Sequence, residues 1–120
     1  MTNAPLNQAV RQIRQLAEIS ATETRSDGDL LGDFLSRHDE TAFTALVRRY
    51  GPLVLGVCRH VLRHEQDAED AFQATFLVLA RSAASIRKQE ALASWLHGTA
   101  YRIALRARRE AAVRAARAMR

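Results

Sequence analysis

Three groups of side chains in this sequence have types and spacings that suggest chemistry. His60 and His64 stand four residues apart, one helical turn, with Cys58 and Glu65 beside them. Two imidazoles at that spacing are half of a metal site. No third ligand has a matching spacing, and paired surface histidines without metal are common, so no metal is expected. Asp67, Glu69 and Asp70 form an acidic cluster. Paired carboxylates serve general acid–base work, but neither a positioned nucleophile nor a glycine-rich phosphate loop accompanies these. Acids at a helix start are accounted for by capping and by the helix dipole. Cys58 falls near the core face of its helix and reads as a small buried hydrophobe, not a nucleophile. The expectation is a chain with no catalytic residue and no cofactor, and not an enzyme. The third group differs: Trp95, His97, Tyr101, Arg102, Arg106, Arg108 and Arg109 crowd into one short stretch. Guanidinium groups hold phosphates and rings stack on unpaired bases, so this interleaving suits a nucleic-acid surface better than a merely solvated helix face.

Charge supports that reading. Residues 1–80 hold eight Arg against eleven acids, whereas residues 81–120 hold nine Arg and Lys88 against Glu90 and Glu110, leaving that part at +8. An acidic part beside a basic one suggests two different partners, and the basic one attracts polyanions by releasing their counterions. The 120 residues fit one domain, and 48% hydrophobic with 26% charged residues is globular composition. Only two Pro and five Gly leave few turns for a sandwich or barrel. The single Cys excludes an internal disulfide and suggests a reducing compartment. No apolar stretch approaches the roughly 18 residues of a membrane span, and the N-terminus lacks the apolar segment of a signal peptide, so the expected location is cytoplasmic with no membrane contact.

The elements that must position these groups are helical. Residues 5–20 place Val10, Ile13, Leu16, Ala17 and Ile19 on one stripe, a short amphipathic helix. Residues 21–29, with Gly28, read as a linker, and Leu30, Leu31, Phe34 and Leu35 as one or two helical turns. A longer helix follows through Phe43, Leu46, Val47, Tyr50, Leu53, Val54, Val57 and Val61, capped by Asp39 or Thr41. Gly51-Pro52 should kink or break it. Residues 67–82 form the next helix, with Asp67 as N-cap and Asp70 at its third position. Ala68, Phe72, Phe76 and Leu79 face inward, and Asp70, Gln73, Ala74, Leu77 and Arg81 face out. An outward Leu flanked by Gln and Asp points to a protein contact. Residues 82–89 read as a loop, and a last helix runs from near Glu90 to at least Arg109. Leu92, Leu96, Thr99, Ala100, Ile103 and Ala107 share its apolar side; the basic and aromatic residues take the other, with Trp95 at the margin. The expected fold is all-α, a compact bundle of three main helices plus short N-terminal ones. Its core is Phe43, Leu46, Tyr50, Val54, Val57, Phe72, Phe76, Leu79, Leu92, Leu96 and Ile103.

The run DAEDAFQATFLVL (residues 67–79) resembles region 2.2 of the extracytoplasmic-function (ECF) sigma factors, with its D-A-E-D-x-x-Q-x-x-F pattern. AFTALVRRYGPLVLGVCRHVL (residues 42–62) resembles their region 2.1, and SWLHGTAYRIALRARR (residues 94–109) is similar to regions 2.3 and 2.4. The resemblance implies a region 2 domain over residues 27–110. It would be preceded by a helical extension and linker at 1–26 and followed, at 111–120, by the start of an interdomain linker. Region 4, the family's second domain, is not expected in these residues: the chain would be either a fragment that ends in that linker, the favoured reading, or a protein that works without that domain. The resemblance also implies a division of labour. Asp70, Gln73 and Leu77 would dock on the β′ coiled coil of core RNA polymerase. Ser85, Arg87, Lys88 and Gln89 of the loop, with Ser94, His97, Tyr101, Arg102, Arg106 and Arg109 of the helix, would recognise and melt the promoter −10 element. The loop would receive a base flipped from the non-template strand. Arg102 stands where the family often has Asn, and His97-Gly98 where it has an aromatic-basic pair. An anti-sigma partner is implied by the family and by no residue here. Two other readings stay open at this point: a helical regulator that reads duplex DNA without polymerase, and a metal enzyme built on His60 and His64.

Overall fold

The computed structural model describes residues 4–86 and 91–119. Five α-helices follow one another: α1 Ala4–Glu23, α2 Asp27–Arg37, α3 Glu40–Val61, α4 Glu65–Ser82 and α5 Leu92–Ala118, with a 3₁₀ turn, Ala83–Ser85, after α4. Among the described residues there is no strand, so the all-α expectation holds. No helix among them is long and apolar enough to cross a membrane.

Local chemistry sets most boundaries. The Ser26 hydroxyl accepts from the Asp29 amide (3.1 Å) and starts α2, helped by Asp27 and Asp29 near its dipole's positive end. α2 ends at His38, which adopts the left-handed conformation (φ 51°) and donates its amide to the Asp33 and Phe34 carbonyls. Asp39 then caps α3 through one carboxylate oxygen, which accepts from the amides of Thr41 (3.0 Å) and Ala42 (3.4 Å).

Four boundaries differ from the sequence expectation. The linker at 21–29 shrinks to residues 24–26, because α1 continues to Glu23 and Gly28 lies inside α2. α1, at 20 residues, is not short, and its apolar stripe is not buried: Leu6, Val10, Ile13 and Leu16 are exposed. Of the kink or break expected at Gly51-Pro52, there is no break: α3 runs on through both residues. Pro52 and Arg48 both face solvent, so the carbonyl that loses its amide partner lies on the wet side of the helix. Gly51 faces inward with the Phe72 ring over it. Finally, α4 starts at Glu65, not at Asp67, and His64 precedes it without a side-chain cap bond. The buried Leu62 ends α3, its amide bonded to the Cys58 carbonyl at 2.8 Å. The Arg59 guanidinium then forks onto the Glu65 carboxylate (3.1 Å from Nε to each oxygen), holding the new helix start against the old helix end. That bond depresses the Glu65 pKa and raises that of Arg59. Asp67 lies in the first turn, where its charge still favours the helix.

The core is the shared seam of α2 to α5. Leu30 and Leu31, Leu46, Val54 and Cys58, Phe76 and Leu79, and Leu92 and Leu96 are buried, with Thr99, Ala100 and Ala104 giving α5 a narrow side for close approach. Of the expected core residues, Phe43, Tyr50, Val57, Phe72 and Ile103 are only partly buried around it. Leu53, assigned to the apolar stripe of α3, is 37% exposed. The buried Thr75 hydroxyl donates to the Ala71 carbonyl one turn back (2.8 Å), and burial pushes the Cys58 thiol pKa up. A polar clamp ties α2 to α3: the Asp27 carboxylate accepts from the Arg49 guanidinium (2.7 Å) and the Tyr50 hydroxyl (2.5 Å). Arg49 also donates to the Arg25 carbonyl (2.7 Å), and Arg25 pairs with Asp33. The radius of gyration, 18.2 Å, exceeds the roughly 14 Å of a spherical domain this long. α5 accounts for part of that: its 27 residues reach about 40 Å, and its last turns are exposed Ala and Arg that stay helical through propensity.

Candidate functional site

α4 and α5 lie side by side, and acidic groups of α4 and cations of α5 share the groove between them. On α4, Asp70, Gln73 and Leu77 recur at three- and four-residue spacing, so they form one row, and all three face solvent. Leu77 is 58% exposed, whereas Leu79, two residues on, is fully buried. The Gln66 amide donates to the Asp70 carboxylate (3.0 Å), orienting it on the helix surface. The structure therefore brings the three expected docking residues together.

The expected nucleic-acid residues divide among three sides of α5. At 100° per residue, Ser94, Arg102 and Arg109 occupy the solvent crest, and all are exposed. His97 and Tyr101 turn toward α3 and line a groove between the two helices, with Leu53, Gly56 and His60 opposite. Arg106 turns toward α4 and lines a second groove, of 290 Å³, with Asp67, Asp70, Glu110 and Arg114. Its Nε donates to Glu110 at 3.2 Å. The Arg102 guanidinium lies over Gly98 and donates to the Thr99 hydroxyl (3.3 Å), so the small residue makes room for the cation to lie along the helix. Trp95 is half-buried against the core. Ser85 is exposed on the turn after α4, its hydroxyl donating to the Ser82 carbonyl (2.8 Å). Arg87, Lys88 and Gln89 lie outside the described residues.

His60 and His64 are both exposed, and no group of three His, Cys, Asp or Glu among the described residues is close enough to share a metal. Sequence reasoning missed two features. One is the clamp of Asp27, Arg49 and Tyr50, whose partners are over 20 residues apart and share no local pattern. The other is the α3 wall of the groove beside His97 and Tyr101. Its signal is present, since Leu53, Gly56 and His60 follow at helical spacing, but the apolar stripe of α3 assigns Leu53 to the inside.

Comparison with known proteins places this geometry. The family model of sigma-70 region 2 matches residues 46–114, from the first third of α3 through most of α5. The ECF RNA polymerase sigma factor SigM of Mycobacterium tuberculosis H37Rv is 38% identical over 73 residues, which is 61% of this chain and 37% of that protein. Its counterpart in the Erdman strain is 37% identical over the same length. The chain thus spans little more than a third of the curated relatives it matches, and no solved structure matches it. With the acidic row on α4 and the cations on α5 both inside the matched span, the chain belongs to the sigma-70 region 2 family.

Proposed function

We propose that residues 27–110 are the promoter-opening module of an ECF-type sigma factor. In that role the chain is non-catalytic, acts in the cytoplasm, and works only together with core RNA polymerase. One observation carries the reading: a solvent-facing row of Asp70, Gln73 and Leu77 on α4 lies beside a helix whose exposed side is rich in Arg, so two partners can be held at once. Asp70 and Gln73 supply polar contacts to the β′ coiled coil, and Leu77 supplies the apolar area that docking covers. On α5 the crest cations hold phosphates of the −10 region, and Ser85 with residues 87–89 receives a base from the non-template strand. Extruding a base costs a few kcal/mol of unstacking. A polymerase-anchored module offsets that cost, because its phosphate contacts are already positioned. Regulation by an anti-sigma protein follows from the family resemblance only.

The test is binding of the fluorescently labelled chain to core RNA polymerase, followed by addition of promoter DNA with an unpaired −10 region. Asp70→Ala with Gln73→Ala should weaken polymerase binding while leaving the unfolding midpoint unchanged. Undiminished polymerase binding in the double variant would remove the docking assignment. Tighter binding to duplex than to unpaired DNA, without polymerase, would replace the reading with a duplex-binding regulator.

A further inference from the structure

α1 carries an apolar side that the bundle leaves uncovered. The helix is 20 residues long, about 30 Å, and touches the bundle at α3. Leu6, Val10, Ile13 and Leu16 recur at three- and four-residue spacing, so they line one side of it. All four are exposed, Ile13 at 65%. Helices in proteins owe most of their stability to burying such a stripe. α1 also lies outside residues 46–114, the span shared with the family. We infer that the stripe pairs with the same stripe of a second copy of this chain, the two α1 helices running antiparallel. The pairing stands apart from the promoter-opening reading, since α1 holds none of the residues assigned to polymerase or to DNA.

Charge selects that occupant. The sequence of α1 is bipolar: Arg11 and Arg14 come first, Glu18 and Glu23 after them, and the sum is zero. The helix has no acid in its first turn and no base in its last, so alone its charges do not complement its dipole. An antiparallel copy supplies what is missing. With Ile13 opposite Ala17 of the second copy, position 18 of each helix falls between Arg11 and Arg14 of the other, and position 23 falls beside the other's N-terminal turns. Arg14 and position 18 share one flank of the stripe, and an antiparallel two-fold sets that flank against itself, so the same ion pair forms twice. Ile13 against Ala17 is also a large residue against a small one, which lets the two helices approach closely. A membrane surface would call for a cationic polar face and nucleic acid for net positive charge, whereas α1 is neutral and its polar side includes Asn7, Gln8 and Gln12. The stripe is too short to bury the roughly 1,200 Å² of a stable interface, so the pairing is weak and depends on concentration.

Sedimentation equilibrium of the full chain, in a concentration series through the micromolar range, tests the pairing. The wild type should show a monomer–dimer equilibrium. Ile13→Asp should weaken it about tenfold or more, with the urea unfolding midpoint unchanged because Ile13 is exposed. Arg11→Glu with Arg14→Glu makes α1 uniformly acidic and should abolish the dimer, and adding Glu18→Arg with Glu23→Arg should restore it. A wild type that stays monomeric at every concentration overturns the inference. So does a dimer that Ile13→Asp leaves intact, which would lie on another face. A dimer indifferent to the paired charge reversals overturns the antiparallel arrangement. A monomeric wild type whose binding to core RNA polymerase is weakened by Ile13→Asp would make the stripe a polymerase contact, which likewise removes the second copy.

Discussion

Leu77 and Leu79 lie two residues apart on α4, and the bundle gives them opposite fates, so truncating each to alanine tests the proposed docking separately from folding. Leu79 is fully buried. Removing its side chain leaves a cavity between α4 and its neighbours, which costs about 2–5 kcal/mol. Leu77 is 58% exposed, so the fold already claims only the smaller part of its surface. Burying a whole Leu side chain is worth about 1.5–3 kcal/mol. The exposed share of Leu77 therefore holds about 1–1.5 kcal/mol for a partner that covers it, roughly tenfold in dissociation constant.

Leu77→Ala should accordingly weaken binding to core RNA polymerase about tenfold and cost the fold less than about 1 kcal/mol. Leu79→Ala should unfold at much lower urea, and its binding should fall only as far as the folded fraction falls. Urea denaturation followed by circular dichroism gives the stability arm, and anisotropy of the labelled chain with polymerase gives the docking arm. Equal destabilisation by the two variants would mean that the α4 row is not a free face. Full polymerase binding by Leu77→Ala would mean that the face is free but not the one that docks.

The clamp between α2 and α3 predicts an alkaline transition. The Tyr50 pKa is pushed up to about 12, first by burial and then by its bond to Asp27, while an unfolded tyrosine ionises near 10. Its contribution is thus complete below pH about 10 and lost as pH rises through about 12. In Tyr50→Phe, stability measured across that window should fall by about 1–2 kcal/mol less than in the wild type, a figure discounted for partial exposure. His38 holds a left-handed backbone conformation, so His38→Gly should raise the stability measured in urea by up to about 1 kcal/mol. Asp39→Ala removes the acceptor for two α3 amides and should cost about 1 kcal/mol in the same assay. Gly51→Ala would bring its methyl 3.7 Å from the Phe72 ring, an ordinary contact, and should stabilise α3 by about 0.5–1 kcal/mol.

What could be read from the sequence was what depends on periodicity. The row of Asp70, Gln73 and Leu77 and the apolar side of α5 follow from spacing alone, because α4 and α5 are regular helices whose faces their neighbours decide. The Asp39 cap was legible for the same reason, a good acceptor immediately before an apolar-periodic run. The start of α4 was not. Asp67 is the better capping residue, but the chain needs a short link after Leu62, and the Arg59–Glu65 fork draws the helix back by two residues. The continuity of α3 through Pro52 was hidden too, since the sequence does not say which side of the helix meets water. The grooves beside α5 were least legible. A groove is a gap between two elements, and its walls are known only when the interaxial packing is known.

On the promoter-opening reading, the division of α5 into three sides bears on how docking and DNA contact are joined. Its buried seam, Leu92, Leu96, Ala100 and Ala104, packs in the same core as Leu79 of α4 and Val54 and Cys58 of α3. A partner that grips the outer row of α4 therefore fixes the position of α5, because close-packed helices transmit displacement rather than absorb it. The groove beside His97 and Tyr101 is walled by α3 and α5, so it is fixed along with them. On the promoter-opening reading, no conformational signal needs to pass from the docking face to the DNA face. On the same reading, docking alone brings the α5 cations to the strand, and the binding energy gained on α4 offsets the unstacking of a base.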